Sequence, residues 1–181
     1  MGGLYELILI FIISIKEGIK MKKHYVLIII VALVLCFSVA QSATAASAQE
    51  EVMQAVGNFI KAVNTSDYDL MSSIHLHSHT ISKYYPGKEG AFISQGWEAF
   101  SITWKGMLAD PPGTYMISPH NQQVTMLGNN VALVTQYFIY RYTNPTTKAQ
   151  EISQFRSSLV FQKIKGEWLI VHEHTSEFPV E

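Results

Sequence analysis

Between Gln49 and Asn64 the apolar residues Val52, Met53, Val56, Phe59, Ile60 and Val63 recur at spacings of three and four, which predicts an amphipathic helix. Asn64-Thr65-Ser66-Asp67 breaks that pattern and recaps the chain. DYDLMSSIH then predicts a second, short helix with an acidic first turn, the sign that the helix dipole favours. HSHTISKYYPGKEG reads as a loop followed by one short strand that stops at Pro86-Gly87. In GWEAFSITWKGMLAD, Trp97, Phe100, Ile102, Trp104, Met107 and Leu108 cover most of one side of a third helix, which Pro111-Pro112-Gly113 ends.

Beyond that point the pattern changes from helical to extended. TYMISPHNQQVTML, NNVALVTQYFIYRYT, AQEISQFRSSLVFQKI and EWLIVHEHTSEF are rich in Val, Ile, Tyr, Phe and Thr. Gly128-Asn129-Asn130, Asn144-Pro145-Thr146-Thr147 and Lys165-Gly166 separate them with turn chemistry. Three helices, one short strand and a long antiparallel meander predict an α+β domain with the helices on one face of the sheet. Strands of this length twist, so the sheet is expected to wrap around the first and third helices and to leave a pocket at its wider end.

Composition changes the picture mainly at the N-terminus. Lys22 and Lys23 lead an almost wholly apolar run from Tyr25 to Val39, closed by small residues through Ala48, the pattern of a secretory signal peptide over residues 21–48. Ala43-Thr44-Ala45 and Ala46-Ser47-Ala48 both suit signal peptidase, and cleavage after Ala48 is expected. Leu35 is bulky where lipoprotein processing before Cys36 wants a small residue, which argues against a lipid anchor. Residues 1–20 add a second apolar run with no evident use. Leu4 to Ile15 is short against the roughly 20 residues of a spanning helix, and Glu6 interrupts its start. Lys16-Glu17-Gly18 can be encoded by a purine-rich ribosome-binding sequence ahead of Met21, so the hypothesis is a mis-set start and translation from Met21. The gene's nucleotide sequence tests it, since codons without that purine run would remove its basis. Export through such a signal implies a secreted or periplasmic domain that meets the membrane only before cleavage.

The exported domain, residues 49–181, carries nine Lys and Arg against twelve Asp and Glu, a net charge of −3 with no basic patch. Nothing there suits nucleic acid. Cys36 is the chain's one cysteine and leaves with the signal, so the domain has neither a disulfide nor a thiolate site, and no cofactor is expected. No Gly-x-Ser-x-Gly elbow or phosphate-binding glycine loop is present, and His172-Glu173-His174-Thr175 does not meet the metalloprotease His-Glu-x-x-His pattern.

Two histidine groups carry candidate chemistry. In IHLHSHT, His75, His77 and His79 stand at alternate positions and, if extended, offer neutral imidazoles to zinc, copper or nickel on one face. The competing readings are polar residues in a helix-to-strand connection, with His75 still in the second helix. Near the C-terminus, strict strand alternation puts His172 and His174 on one face with Trp168 and Ile170, and Leu169, Val171, Glu173 and Thr175 on the other.

GEWLIVHEHTSEFP on the last strand, RSSLVFQK before it and the order of elements resemble the nuclear transport factor 2-like superfamily. Its SnoaL-like group and the association domain of calcium/calmodulin-dependent kinase II share the Gly-x-Trp-x-x-Val-His-x-His-x-Ser close. The likeness spans Gln49 to Pro179. It implies a cone-shaped sheet around the helices, an internal cavity and a homodimer through the outer sheet face. It implies no single activity, because members include isomerases, cyclases, dehydratases and domains that only bind or assemble. The ketosteroid isomerase-like set, an Asp after the second helix and a Tyr on the first, is missing: His and Ser residues fill positions 75 to 82, and Phe59 stands in the first helix. The arginines of the kinase cavity align with Tyr137, Leu159 and Thr175, so that anion site is also missing.

By the same analogy Glu173 and Thr175 face inward and the histidines face the partner subunit. His172 and His174 are then structural, hydrogen-bonded to Arg156 or Ser158, with Trp168 beside them. Glu173 becomes the candidate acid/base, its pKa expected to rise on desolvation. The alternative is a Glu paired to Lys or Arg near the mouth. Tyr84, Trp97, Trp104, Tyr137, Phe161 and Thr175 are the residues expected to line a cavity for a small, mostly apolar molecule, His120 standing near the mouth. Three functions stay open: such a binding domain, an enzyme of the cyclase, isomerase or dehydratase type using Glu173, and an assembly or metal-binding module using His75, His77 and His79.

Overall fold

The computed structural model describes residues 47–87 and 90–178. The upstream extension 1–20, Cys36 and all but the last two residues of the signal segment lie outside the described residues. The first helix, α1, covers 47–64 and buries Val52, Val56, Phe59 and Val63, the stripe set by the three-and-four spacing. A second helix, α2 (Tyr68–Ser73), opens on Asp67, whose carboxylate accepts the Leu70 N–H at 2.9 Å. It stops at Ser73, so His75 lies beyond the helix rather than in it.

Two short strands follow instead of the one expected, β1 (Ser82–Gly87) and β2 (Gly90–Gln95), paired antiparallel as a hairpin. The segment GAFISQ is too short for a period to register and has no assignment from its sequence; pairing to β1 holds it extended. Gly96 then turns the chain at φ 82°, a left-handed value that costs glycine little, and brings the Trp97 N–H to the Ser78 carbonyl at 2.9 Å. The third helix, α3 (Trp97–Met107), buries Phe100, Ser101 and Trp104. Ile102, counted on that face from the sequence, is instead 66% exposed, because at about 100° per residue it lies away from the line through 100, 104 and 108.

Four long strands complete the sheet: β3 (Tyr115–Met126), β4 (Val131–Thr143), β5 (Gln150–Ile164) and β6 (Glu167–Glu177). Lys165 and Gly166, both at positive φ, form the tight turn into β6 that the sequence predicts. The order is β2-β1-β6-β5-β4-β3, antiparallel except where β1 lies parallel to β6. The sheet is therefore mixed, and the chain segment between α2 and β1 also bridges β6 in parallel, His75 to Ile170. All three helices pack on one face, where Phe59, Met71, Phe100, Trp104, Leu159, Phe161 and Ile170 share a core. At the end of α1 the Asn64 side chain donates to the Ile117 carbonyl at 3.1 Å and accepts the Ile117 N–H at 2.7 Å. It thereby satisfies the Ile117 backbone on the β3 edge that no strand covers.

One irregularity determines what faces the interior. On β6, His172 pairs with Val160 and Ile170 with Phe161, leaving Val171 as an extra residue. A bulge of this kind reverses the alternation beyond it. Trp168 and Ile170 are thus buried on the same face as Glu173 and Thr175, and not on the face of His172 and His174 as strict alternation requires.

Candidate functional site

The helical face of the sheet buries three titratable side chains against one another. Lys83 enters from β1, where it pairs with Glu173 in the parallel register, and is 5% exposed. Glu173 is 2% exposed. Its Oε2 lies 3.2 Å from the Lys83 ammonium and its Oε1 lies 2.6 Å from Nε2 of His75. His75 is fixed by an isolated bridge to Ile170 and by its other ring nitrogen, Nδ1, 2.6 Å from the Met71 carbonyl. Aromatic rings enclose the group: the Lys83 ammonium stands 3.6 Å from the centroid of Trp104, and Phe100 lies 4.8 Å from the His75 ring.

A carbonyl oxygen only accepts, so Nδ1 of His75 carries a proton and donates it to Met71. A further proton lies between Nε2 and Glu173, on one side or the other, because two lone pairs do not meet at 2.6 Å. The His75–Glu173 pair is neutral as a unit in either arrangement. Any positive charge on Lys83 is then the net charge of the cluster.

Burial alone pushes the Glu173 pKa up, as the sequence suggests, but the charge of Lys83 and the hydrogen bond and charge of His75 outweigh it, and the net direction is down. The expected rise is therefore corrected by two partners that sequence reading did not place. Burial lowers the Lys83 pKa, and the neighbouring carboxylate opposes that only in part. For Glu173, whose folded value is the depressed one, the contribution to stability is complete above the ordinary carboxylate value of 4.5 and is lost as pH falls through its lowered value. Lys83 acts in the opposite range: its buried ammonium costs stability until rising pH passes its lowered value and relieves it. Urea unfolding at successive pH values below 4.5 should show stability falling, with a smaller fall in a Glu173→Leu chain. Equal acid losses in the two would remove Glu173 from the account.

Beside the cluster lies a small, partly open cavity of about 40 Å³. Phe59, Ile117, Met107, Phe138 and Leu159 form apolar walls, and Lys83, Glu173, Tyr85, Tyr140, Ser157 and Thr175 supply polar atoms. That volume holds only a few water-sized groups. Burial and nearby acidic or phenolic groups push the Tyr85 and Tyr140 pKa values up, so both phenols keep their protons. Ser157 Oγ accepts from Gln136 at 3.2 Å, which leaves its own proton free to donate.

Of the residues expected to line a cavity, Trp104 and Thr175 do so. Phe161 is buried in the core without reaching the cavity. Trp97 stacks on His77 at 3.8 Å near the surface. Tyr84 and Tyr137 are exposed on the opposite face of the sheet, since the pleat turns them away from Lys83 and Gln136. There Tyr84 meets His172 and His174. His172 is hydrogen-bonded to Ser82 on β1 at 2.7 Å rather than to Arg156 or Ser158, because β1 and not β5 flanks it on that side. Arg156 instead donates to Ser176. Trp168 faces inward and its indole donates to Glu51 on α1. A polar groove of about 950 Å³ runs over the outer face between Tyr137, Arg156, Ser158 and His174.

The three imidazoles of IHLHSHT do not converge. His75 points into the core, His77 bonds to Ser72 and stacks on Trp97, and His79 borders an outer surface groove. Among the described residues no group of three or more His, Cys, Asp or Glu could hold a metal ion. Lys83 and His75, the partners of Glu173, were not singled out together by the sequence. The available signal was the alternation Ile81, Lys83, Tyr85, which sets the lysine on the apolar side of its strand.

No curated protein matches the chain. Solved structures do. A candidate dehydratase of the NTF2-like family from Streptomyces avermitilis aligns with a TM-score of 0.65 at 18% identity, over 72% of this chain and 96% of that one. A nuclear transport factor 2 (NTF2-like) superfamily protein from Salmonella enterica serovar Typhimurium aligns at 0.61 and 17%, over 76% and 94%. The association domain of C. elegans calcium/calmodulin-dependent kinase II aligns at 0.59 and 17%, over 72% and 95%. At these identities the likeness is one of fold, an open, curled six-stranded sheet with N-terminal helices. The sequence model of the SnoaL-like domain matches residues 52–181, and the chain belongs to the SnoaL-like domain family.

Proposed function

We propose that this chain is an exported SnoaL-like domain that binds a small, mostly apolar molecule in the cavity between α1, α3 and the sheet. The observation that carries this reading is the space itself, walled by Phe59, Met107, Ile117, Phe138 and Leu159 and bordered on one side by the buried Lys83–Glu173 pair. Apolar walls with a few convergent polar groups suit a ligand held mainly by its hydrocarbon and oriented by one polar end. The reading includes translation from Met21, cleavage after Ala48 and release as a secreted or periplasmic homodimer. The outer sheet face, where Tyr137 is 45% exposed near Ile139 and Ile152, is the surface that would pair.

Native mass spectrometry of the protein purified from its own compartment tests all of this together. The expected spectrum shows a dimer of chains beginning at Gln49 with a small organic adduct that dissociates on activation. Adduct-free chains whose unfolding temperature no small molecule raises would count against ligand binding. A second reading, an enzyme of the cyclase, isomerase or dehydratase type, draws on the proton shared by His75 and Glu173 beside the cavity. Both carboxylate oxygens are already engaged, which favours binding over base catalysis. Retention of any discovered activity in Glu173→Gln would end the catalytic alternative.

A further inference from the structure

We propose that the ligand of this cavity is a small organic carboxylate, with its head group on Lys83 and its tail against Ile117, Met107 and Phe138. The inference rests on the ligand-binding reading above and specifies the chemistry of that ligand. It follows from an imbalance among the groups around the cavity. The His75–Glu173 pair is neutral as a unit, since one proton is donated to Met71 and another is held between Nε2 and Oε1. The Lys83 ammonium is thus compensated only in part, by Glu173 Oε2, its one charged acceptor among the described residues, and the cluster as a whole carries its charge. An ammonium has three N–H donors, and the other surroundings of Lys83 are the ring faces of Trp104, Tyr85 and Phe100.

The same imbalance holds for the neutral groups. The indole N–H of Trp104 is buried without an acceptor, an arrangement that costs stability in the free protein. Ser157 has an unspent hydroxyl proton, and Tyr140 presents a phenol that stays protonated. The groups left unmatched that can only donate are therefore the Lys83 ammonium and the Trp104 indole, the hydroxyls can turn either way, and each oxygen of Glu173 already has a partner. A complementary ligand is rich in acceptors, and next to a cluster whose net charge is that of the Lys83 ammonium it is an anion. A carboxylate fits better than a phosphate. The space is small, about 40 Å³, its walls are apolar, and no arginine or glycine loop is among the residues that line it to satisfy a dianion.

The test is an NMR titration of the ¹⁵N-labelled domain with propionate, propionamide and 1-propanol, observing the indole N–H signals, with that of Trp104 assigned by Trp104→Phe. Propionate should shift the Trp104 signal saturably and bind at least about tenfold more tightly than propionamide, the scale of one charge-assisted contact. In Lys83→Met that preference should disappear. Propionamide or propanol binding as tightly as propionate would overturn the carboxylate assignment and leave cavity binding standing. A Trp104 signal that none of the three probes moves would overturn both. The comparison of propionate with propionamide is made on the unaltered protein, so it decides the matter even where Lys83→Met does not fold.

Discussion

Replacing Glu173 by leucine should destabilise the fold by about 3–5 kcal/mol, the usual cost of stranding a buried charge by deleting its partner. Leucine fills nearly the same space, so the loss is electrostatic rather than a cavity effect. The substitution leaves Lys83 with rings around its ammonium and no carboxylate, and it leaves Nε2 of His75 without a partner. Lys83→Met alone should cost far less, because the His75–Glu173 pair it leaves behind is neutral and still hydrogen-bonded. Adding Lys83→Met to Glu173→Leu should then restore part of the lost stability, since the stranded ammonium is removed with it. Urea unfolding of the four chains measures this cycle. Equal losses for the two single substitutions would show that the cluster behaves as a simple ion pair, and the proton count drawn from His75 would be wrong.

This cluster also marks the limit of what the sequence discloses. Helices α1 and α3 are legible because their three-and-four spacing persists over ten residues or more, and strands β3 to β6 because long stretches rich in Val, Ile, Tyr, Phe and Thr are separated by turn chemistry such as Lys165-Gly166. The hairpin strand β2, at six residues, is too short for its period to register. On β6 the bulge at Val171 has no sequence mark, so counting alternation from Trp168 gives the wrong phase for residues 172 to 175. The kinase analogy gives the right phase because it is anchored at the histidines themselves. Lys83 escaped notice for a different reason. A lysine is assigned to solvent unless its partner is known, and that partner lies ninety residues away on a strand joined in parallel. The expected rise in the Glu173 pKa failed with it, since desolvation can be judged from burial alone whereas compensation needs the pairing.

Trp104→Ala should cost about 3–5 kcal/mol, as truncating a buried aromatic to alanine typically does. Its ring is the common wall of the core and of the charged cluster. It packs edge-on against Phe59 at 5.9 Å, lies beside Phe100 and carries the Lys83 ammonium over its face at 3.6 Å. Packing and cation contact are separable by Trp104→Phe, which keeps an aromatic face of smaller area and also removes the unpartnered indole N–H. Three effects then compete: lost area destabilises, the weaker cation–π attraction destabilises by about 0.5–1 kcal/mol, and removal of an unsatisfied donor stabilises by about 1 kcal/mol or more. The two polar effects nearly cancel, so Trp104→Phe should lose only about 1–2 kcal/mol, most of it packing. Combining it with Lys83→Met isolates the cation contact as a coupling of about 0.5–1 kcal/mol in urea unfolding. A coupling near zero would mean that the ammonium gains nothing from the indole face. Lys83 would then be held in the interior by Glu173 alone, and a carboxylate ligand would have to compete with Glu173 for it rather than complete its surroundings.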